Sequence, residues 1–291
     1  MLRGIHQITI TVFIVGVTIV TISWLNTKDE TSRIFRPIGL NDFESKLAYE
    51  YLKKGVRPEQ QMNANKKPRE DVRAGWPRYP GYGDTRSCNN DWTHKGLIDL
   101  FDLWVKMADL LNVNYTLTHG TLIGALRDGD LVPYDQDVDV MLNIDEVPKF
   151  AQMIDEHFSD KDDKVHLTIH KEYHKPVKER GMWSCNGDRI YKTQWYRDQC
   201  STQEPLGRLL RGPILHIDLV GYRIINSTTF HIQSEDKITD YKTEDMLPFT
   251  DCHFLGYKTY CLNNPAALLS KVYNDSFMTP IKKCVNGNWV K

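Results

Sequence analysis

Three aspartates, Asp135, Asp137 and Asp139, recur at a spacing of two. Successive side chains of a strand point to opposite faces, so a strand here sets all three carboxylates on one side. Several carboxylates crowded on one face are costly unless a cation joins them. Oxygen ligands of this kind suit Mg²⁺ or Mn²⁺, and such ions clamp a phosphate between protein carboxylates and substrate oxygens. Just upstream, Gly120 and Thr121 open a short helix predicted over 121–127, where backbone N–H groups and the helix dipole favour an anion. Arg127 on that helix could reach a diphosphate or form a salt bridge with a nearby aspartate. The passage from Gly120 to Val140 therefore reads as a metal-dependent phosphoryl-transfer site.

The chain has 291 residues, 41% of them hydrophobic and 26% charged, with a formal net charge of −1. That is room for one good-sized domain, and the balance gives no reason to expect a nucleic-acid partner. Nothing in it specifies an oligomeric state. Ile8 to Leu25 carries no charged residue and ends with Trp24, Leu25 at an expected interface, long enough to span a bilayer as a helix. No small-residue cleavage site follows it, which favours a retained signal-anchor over a cleaved signal peptide. The short tail 1–7 favours a cytosolic amino end, which places the rest in an oxidising lumen. Six cysteines, Cys88, Cys185, Cys200, Cys252, Cys261 and Cys284, all lie beyond the apolar run and permit three disulfides. Asn114, Asn226 and Asn274 each begin a glycosylation triplet. Together these features suggest a single-pass type II protein of the endoplasmic reticulum or Golgi membrane.

The expected organisation is a tail over 1–7, an anchor over 8–25, a polar lumenal stem over 26–75 and a catalytic domain over 76–291. Asp42 to Lys54 fits a short helix within the stem. Lys95 to Leu111 is apolar enough for a largely buried helix. Tyr115 to Thr118 and Val138 to Leu142 read as strands, and Pro148 to Phe158 as a helix with Pro148 in its first turn. Val165 to His170 alternates as a strand, Ile214 to Val220 forms another, and Cys252 to Cys261 reads as a hairpin turning near Gly256. Asn264 and Pro265 open a helix running to Tyr273. The mixed order of helices and strands predicts an α+β (mixed α/β) domain.

Asp218 stands inside the apolar strand 214–220, where an acid is badly solvated unless it meets a metal or a cation. It is the candidate third carboxylate beside Asp137 and Asp139; otherwise it is a partly exposed acid on an edge strand. Asp135 can be a ligand or a turn residue after Pro133. His166, His170 and His174 have a spacing that could bind zinc on a helix, but the segment reads as a strand. Trp183, Tyr191, Trp195 and Tyr196, with Arg189 and Arg197, lie near or between Cys185 and Cys200, where core packing competes with a sugar platform or quaternary-ammonium cage.

Gly120-Thr-Leu-Ile-Gly124, Arg127, Gly129 and Pro133-Tyr-Asp-Gln-Asp-Val-Asp139 resemble the signature of the LicD and fukutin-related family, part of the nucleotidyltransferase-like superfamily. The likeness extends through His216-Ile-Asp218, Leu247-Pro248, Phe254-Leu-Gly256, Pro265, Lys271-Val-Tyr-Asn and Met278-Thr-Pro280, over about residues 90 to 281. It implies a nucleotidyltransferase-like fold whose mixed sheet carries the carboxylates. Asp137 and Asp139, with Asp218 as third carboxylate, would bind the metal and serve catalysis, with Gly120 and Thr121 at the phosphates. The implied reaction moves phosphocholine or an alditol phosphate such as ribitol phosphate from a CDP-linked donor to a glycan acceptor, with CMP leaving. Some relatives bind zinc in an inserted loop near Cys185 and Cys200, so a structural Zn²⁺ competes there with a disulfide. Gln136 replaces an acid, and Tyr134 the commoner tryptophan. Two other readings stand beside this one: a type II glycosyltransferase using a nucleotide-sugar, and a non-catalytic lumenal glycan-binding protein of the same fold.

Overall fold

The computed structural model describes residues 9–14, 18–23, 43–54, 88, 91–191, 197–234 and 239–291. It falls into two units, residues 1–40 and 41–291. In the first, β1 (Thr9–Ile14) and β2 (Thr18–Ser23) form an antiparallel hairpin running from the Thr9 to Ser23 pair to the Ile14 to Thr18 pair. This differs from the single helix expected over 8–25. Five of the six residues in each strand are β-branched, a composition that favours the extended chain over the helix. Among the described residues, no helix is long and apolar enough to cross a membrane.

The second unit starts with α1 (Phe43–Lys53), inside the segment expected as stem. Phe43, Leu47 and Tyr51 recur at a spacing of four, and all three are buried in the main core. The Tyr51 hydroxyl donates to the carbonyl of Lys106 at 2.9 Å, and Lys46 pairs with Asp155. The remaining residues expected as stem, save Lys54, and residues 76–87 lie outside the described residues. The buried helix predicted over 95–111 is α2 (Asp91–Leu111), whose Leu97, Phe101, Trp104 and Ala108 form an apolar stripe packed on the central sheet. Tyr115 meets Trp104 edge-on at 5.4 Å, and Phe150 stacks on it at 6.0 Å.

Seven strands make the mixed sheet. β3 (Tyr115–Leu117) leads into α3 (His119–Asp128), and β4 (Asp137–Asn143) returns antiparallel to β3. The helix expected over 148–158 is instead a 3₁₀ segment, Ile144–Phe150. Pro148 falls inside it and supplies no N–H for a continuing α-helix, while Asn143 caps the start by accepting from the Asp145 N–H at 3.0 Å. β5 (Val165–Ile169) pairs with β8 (Gly207–Arg211), and the short β6 (Met182–Trp183) and β7 (Arg189–Ile190) form a separate hairpin between them.

β9 (Leu215–Ile224) is the hinge of the architecture because it pairs along both edges. One edge runs parallel to β4. The other meets β8 along the first half of β9 and β10 (Thr229–Ile232) along the second, with β11 (Asp240–Lys242) beyond β10. Leu215, Ile217 and Leu219, with Val138, Val140 and Leu142, are buried, and the residues alternating with them at 137, 139, 216 and 218 are part-exposed. That alternation separates an apolar face from a charged one. The short α4 (Thr243–Met246) follows β11. The predicted hairpin is β12 (Thr250–Phe254) and β13 (Tyr257–Cys261), and the predicted final helix is α5 (Pro265–Tyr273) with Pro265 in its first turn. β14 (Lys283–Val285) and β15 (Asn288–Val290) close the chain. The cysteines pair as Cys88–Cys284, Cys185–Cys200 and Cys252–Cys261.

Candidate active site

The parallel register of β4 and β9 sets Asp139 beside Asp218 and Asp137 beside His216. The antiparallel register of β8 and β9 sets Arg208 beside Asp218. Five polar side chains thus share one sheet face by parity alone. Arg208 Nε donates to Asp218 Oδ1 at 2.7 Å and Nη2 to Oδ2 at 3.3 Å, while Nη1 donates to the Gln199 carbonyl at 2.6 Å. The acid in the apolar strand therefore has a cation partner. His216 Nε2 lies 3.6 Å from both Asp137 Oδ2 and Asp218 Oδ1.

Helix α3 closes one side of this face. Thr118 donates its N–H to the Asp139 carbonyl at 3.2 Å, and Thr121 Oγ1 accepts the Asp139 N–H at 2.7 Å, so the start of the helix is pinned to the acid strand. The Gly120 N–H donates to the Asp139 carboxyl, and a Cβ on Gly120 would stand 2.4 Å from Asp135 Oδ2. Only a glycine lets the carboxyls approach the helix start this closely. Asp135 makes a turn, its N–H donating to the Val132 carbonyl at 2.9 Å, and also joins the cluster through a hydrogen bond with Asp137. The turn role is the one the geometry shows. Arg127 Nε donates to Asp128 at 2.8 Å, so that guanidinium is engaged with its neighbour.

The carboxyls do not ionise alike. Burial, then the charge of Asp137, pushes Asp135 up to about 7. Burial and the charges of Asp137, Asp218 and Asp135 push Asp139 well above the usual carboxylate range. Asp137 is also penalised by burial, but hydrogen bonds from His216 and Asp135 and the charges of His216 and Arg208 outweigh that and bring it below the usual value. This is the profile of a group of acids that one positive charge does not satisfy. One oxygen each from Asp137 and Asp218 and a nitrogen from His216 lie within 4.8 Å of one another, with Asp139 in register beside Asp218. The donor set fits a divalent cation.

Two residues of this face, His216 and Arg208, fall outside the sequence-derived site. His216 and Asp218 are two apart in one strand, which is itself a sign that they share a face. Arg208 has a weaker signal, a lone cation between Gly207 and Leu209, and its partner is set by pairing across strands. Cys185 and Cys200 are joined in a disulfide, with Asp198 accepting both their N–H groups at 2.8 and 3.1 Å. His166 sits between Asp155 and Asp162 at 2.9 Å each, and His170 donates Nε2–H to the Gly181 carbonyl, so the spaced histidines do not converge. Lys171 and Arg189 occupy the Trp183 ring at 4.8 and 5.8 Å, and Trp195 and Tyr196 lie outside the described residues.

Residues 112–264, which contain the whole acidic face, match the model of the LicD/FKTN/FKRP nucleotidyltransferase domain. A stretch of 56 residues is 32% identical to the lipopolysaccharide cholinephosphotransferase LicD of Haemophilus influenzae. It covers 19% of this chain and 21% of that protein.

Proposed function

Because the chain belongs to the LicD/FKTN/FKRP nucleotidyltransferase-domain family, we propose that it is a metal-dependent phosphotransferase. In this reading it moves phosphocholine or an alditol phosphate such as ribitol phosphate from a CDP-linked donor to a glycan acceptor and releases CMP. One observation carries the proposal: the β4 to β9 register that aligns Asp137 and Asp139 with His216 and Asp218 on one face. The name of the bacterial relative favours the choline form.

Asp137, Asp139 and Asp218 would hold Mg²⁺ or Mn²⁺, which supplies charge neutralisation at the transferred phosphate and in-line alignment of the oxygens on either side. The remaining chemistry falls to the chain. Asp218, fixed by the two-point grip of Arg208, takes the proton of the acceptor hydroxyl. The acceptor oxygen bonds to the distal phosphorus as the bond from that phosphorus to the CMP oxygen breaks, and CMP leaves. Gly120 and Thr121 border the acids at the start of α3, where a diphosphate can approach the backbone. The reading places this chemistry in the lumen of the Golgi or endoplasmic reticulum, behind a type II anchor.

The test is CMP release by the purified full chain with Mn²⁺, a panel of CDP-alcohols and acceptor glycans. Asp137→Ala and Asp139→Ala should lower turnover by about a thousandfold, as expected when a charge-stabilising group of the transition state is lost, with the folded protein retained. Turnover that survives either change overturns the assignment.

A further inference from the structure

His216 stands where the sequence pattern of alternating acids makes no provision for a nitrogen. Its Nδ1 lies 3.2 Å from the Ile214 carbonyl. A carbonyl only accepts, so Nδ1 carries a proton, and Nε2 is the atom turned toward the acids. There it meets Asp137 Oδ2 and Asp218 Oδ1, each at 3.6 Å. In the metal-free chain a proton on Nε2 serves Asp137; a dication that displaces it meets one ligand atom each from Asp137, His216 and Asp218, all within 4.8 Å of one another. Metal-bound histidines are held in the same manner, one nitrogen toward the ion and the other ring N–H given to a backbone carbonyl or carboxylate. The surroundings keep the imidazole in place. The ring is largely buried on the long strand β9. Asp218, its neighbour on the same face, is held by Arg208.

We propose that His216 Nε2 is a nitrogen ligand of the site's divalent cation, added to the carboxylates of Asp137, Asp139 and Asp218. This deepens the reading given above and rests on it. A mixed nitrogen and oxygen shell makes the site discriminate against Mg²⁺, which demands oxygen ligands, and in favour of Mn²⁺ or a later first-row dication.

The experiment reads the ligand directly. The full chain is loaded with Mn²⁺ alone, without donor or acceptor, and pulsed electron paramagnetic resonance records nitrogen coupling in protein labelled with ¹⁴N or ¹⁵N histidine. An imidazole coupling that changes with the label and disappears in His216→Ala is the expected result. His216→Asp, which restores an all-oxygen shell, should lower the ratio of Mn²⁺ to Mg²⁺ affinity by about tenfold or more. If neither variant folds, the labelled native chain still decides the matter. Bound Mn²⁺ without histidine coupling overturns the nitrogen ligand and leaves the proposed transferase intact. Coupling that persists in a folded His216→Ala protein overturns it as well. A chain that binds no Mn²⁺ overturns both.

Discussion

Two glycines of α3 separate the needs of the chemistry from the needs of the fold. A Cβ on Gly124 would come within 2.4 Å of the Asp130 carbonyl oxygen and 2.9 Å of the Val132 nitrogen, both backbone atoms that cannot step aside. A Cβ on Gly120 would meet Asp135 Oδ2 at 2.4 Å, the free end of a side chain that can swing away. Gly124→Ala should therefore cost about 1–3 kcal/mol of stability through overpacking. Gly120→Ala should leave the melting temperature within a degree or two but displace Asp135 and weaken metal-supported turnover. Melting curves and CMP release measured side by side check the contrast, and equal melting losses in both variants would refute it. The acids themselves carry a second expectation. Asp135 titrates near 7 in the folded protein against 3.8 in the unfolded chain. Between those values the native state holds the extra proton, so the stability of the metal-free protein falls as pH rises through that window. Asp139, also raised by burial and its acidic neighbours, acts in the same direction. Melting temperatures taken in chelator from pH 5 to 8 should drop, and saturating Mn²⁺ should flatten the curve. A metal-free profile that rises instead rules out these raised values.

Strand β8 contributes one side chain to the charged face, and its role is mechanical. Arg208 presents a planar fork to Asp218 while its third nitrogen is anchored on Gln199, next to the Cys185–Cys200 disulfide. Arg208→Gln should lower kcat by about ten- to a hundredfold with KM for the donor little changed, the usual cost of loosening a group that orients a metal or substrate contact. Arg208→Lys should recover only part of this, because an ammonium cannot hold both oxygens at once. Full recovery by lysine, or a loss confined to KM, would assign Arg208 to substrate binding instead. The same elements show why some of the site could be read along the chain and some could not. Asp137 and Asp139 announce their common face through a spacing of two, and α2, α5 and the β12–β13 hairpin follow from periodicity and turn residues within short windows. Arg208 and Asp218 lie on neighbouring strands, and that Arg208 faces Asp218 is a matter of register, which no local pattern specifies. The 3₁₀ segment 144–150 has a local origin instead, since Asn143 and Pro148 compete to set where a helix starts. Over 8–25 two local rules conflict, with length and apolarity favouring a spanning helix and β-branching favouring strands.

At the scale of the molecule, the open matter is how much of the chain the catalytic domain needs and where it resides. Phe43, Leu47 and Tyr51 bury α1 in the same core as Trp104 and Phe150, within the compact unit 41–291. A chain cut to 76–291 would leave an apolar socket against α2 and β5 open to water. Losing Phe43 alone is worth about 3–5 kcal/mol, so the 76–291 fragment should melt far below a 41–291 fragment or not fold. Equal melting temperatures would return α1 to the stem. Residence is tested by the segments at either end of this boundary. Asn114, Asn226 and Asn274 are all exposed, so passage through the lumen should add glycans that a peptide N-glycosidase removes with a visible drop in mass. The run 8–25 must change conformation to serve as an anchor, because a lone two-stranded hairpin in hydrocarbon leaves both outer edges of N–H and C=O groups unpaired. A peptide of residues 1–28 should accordingly be helical in lipid vesicles by circular dichroism, and the full chain should resist carbonate extraction from membranes. A strand spectrum in lipid together with release by carbonate would remove the anchor from the description, while the acidic face within residues 112–264 would stand unchanged.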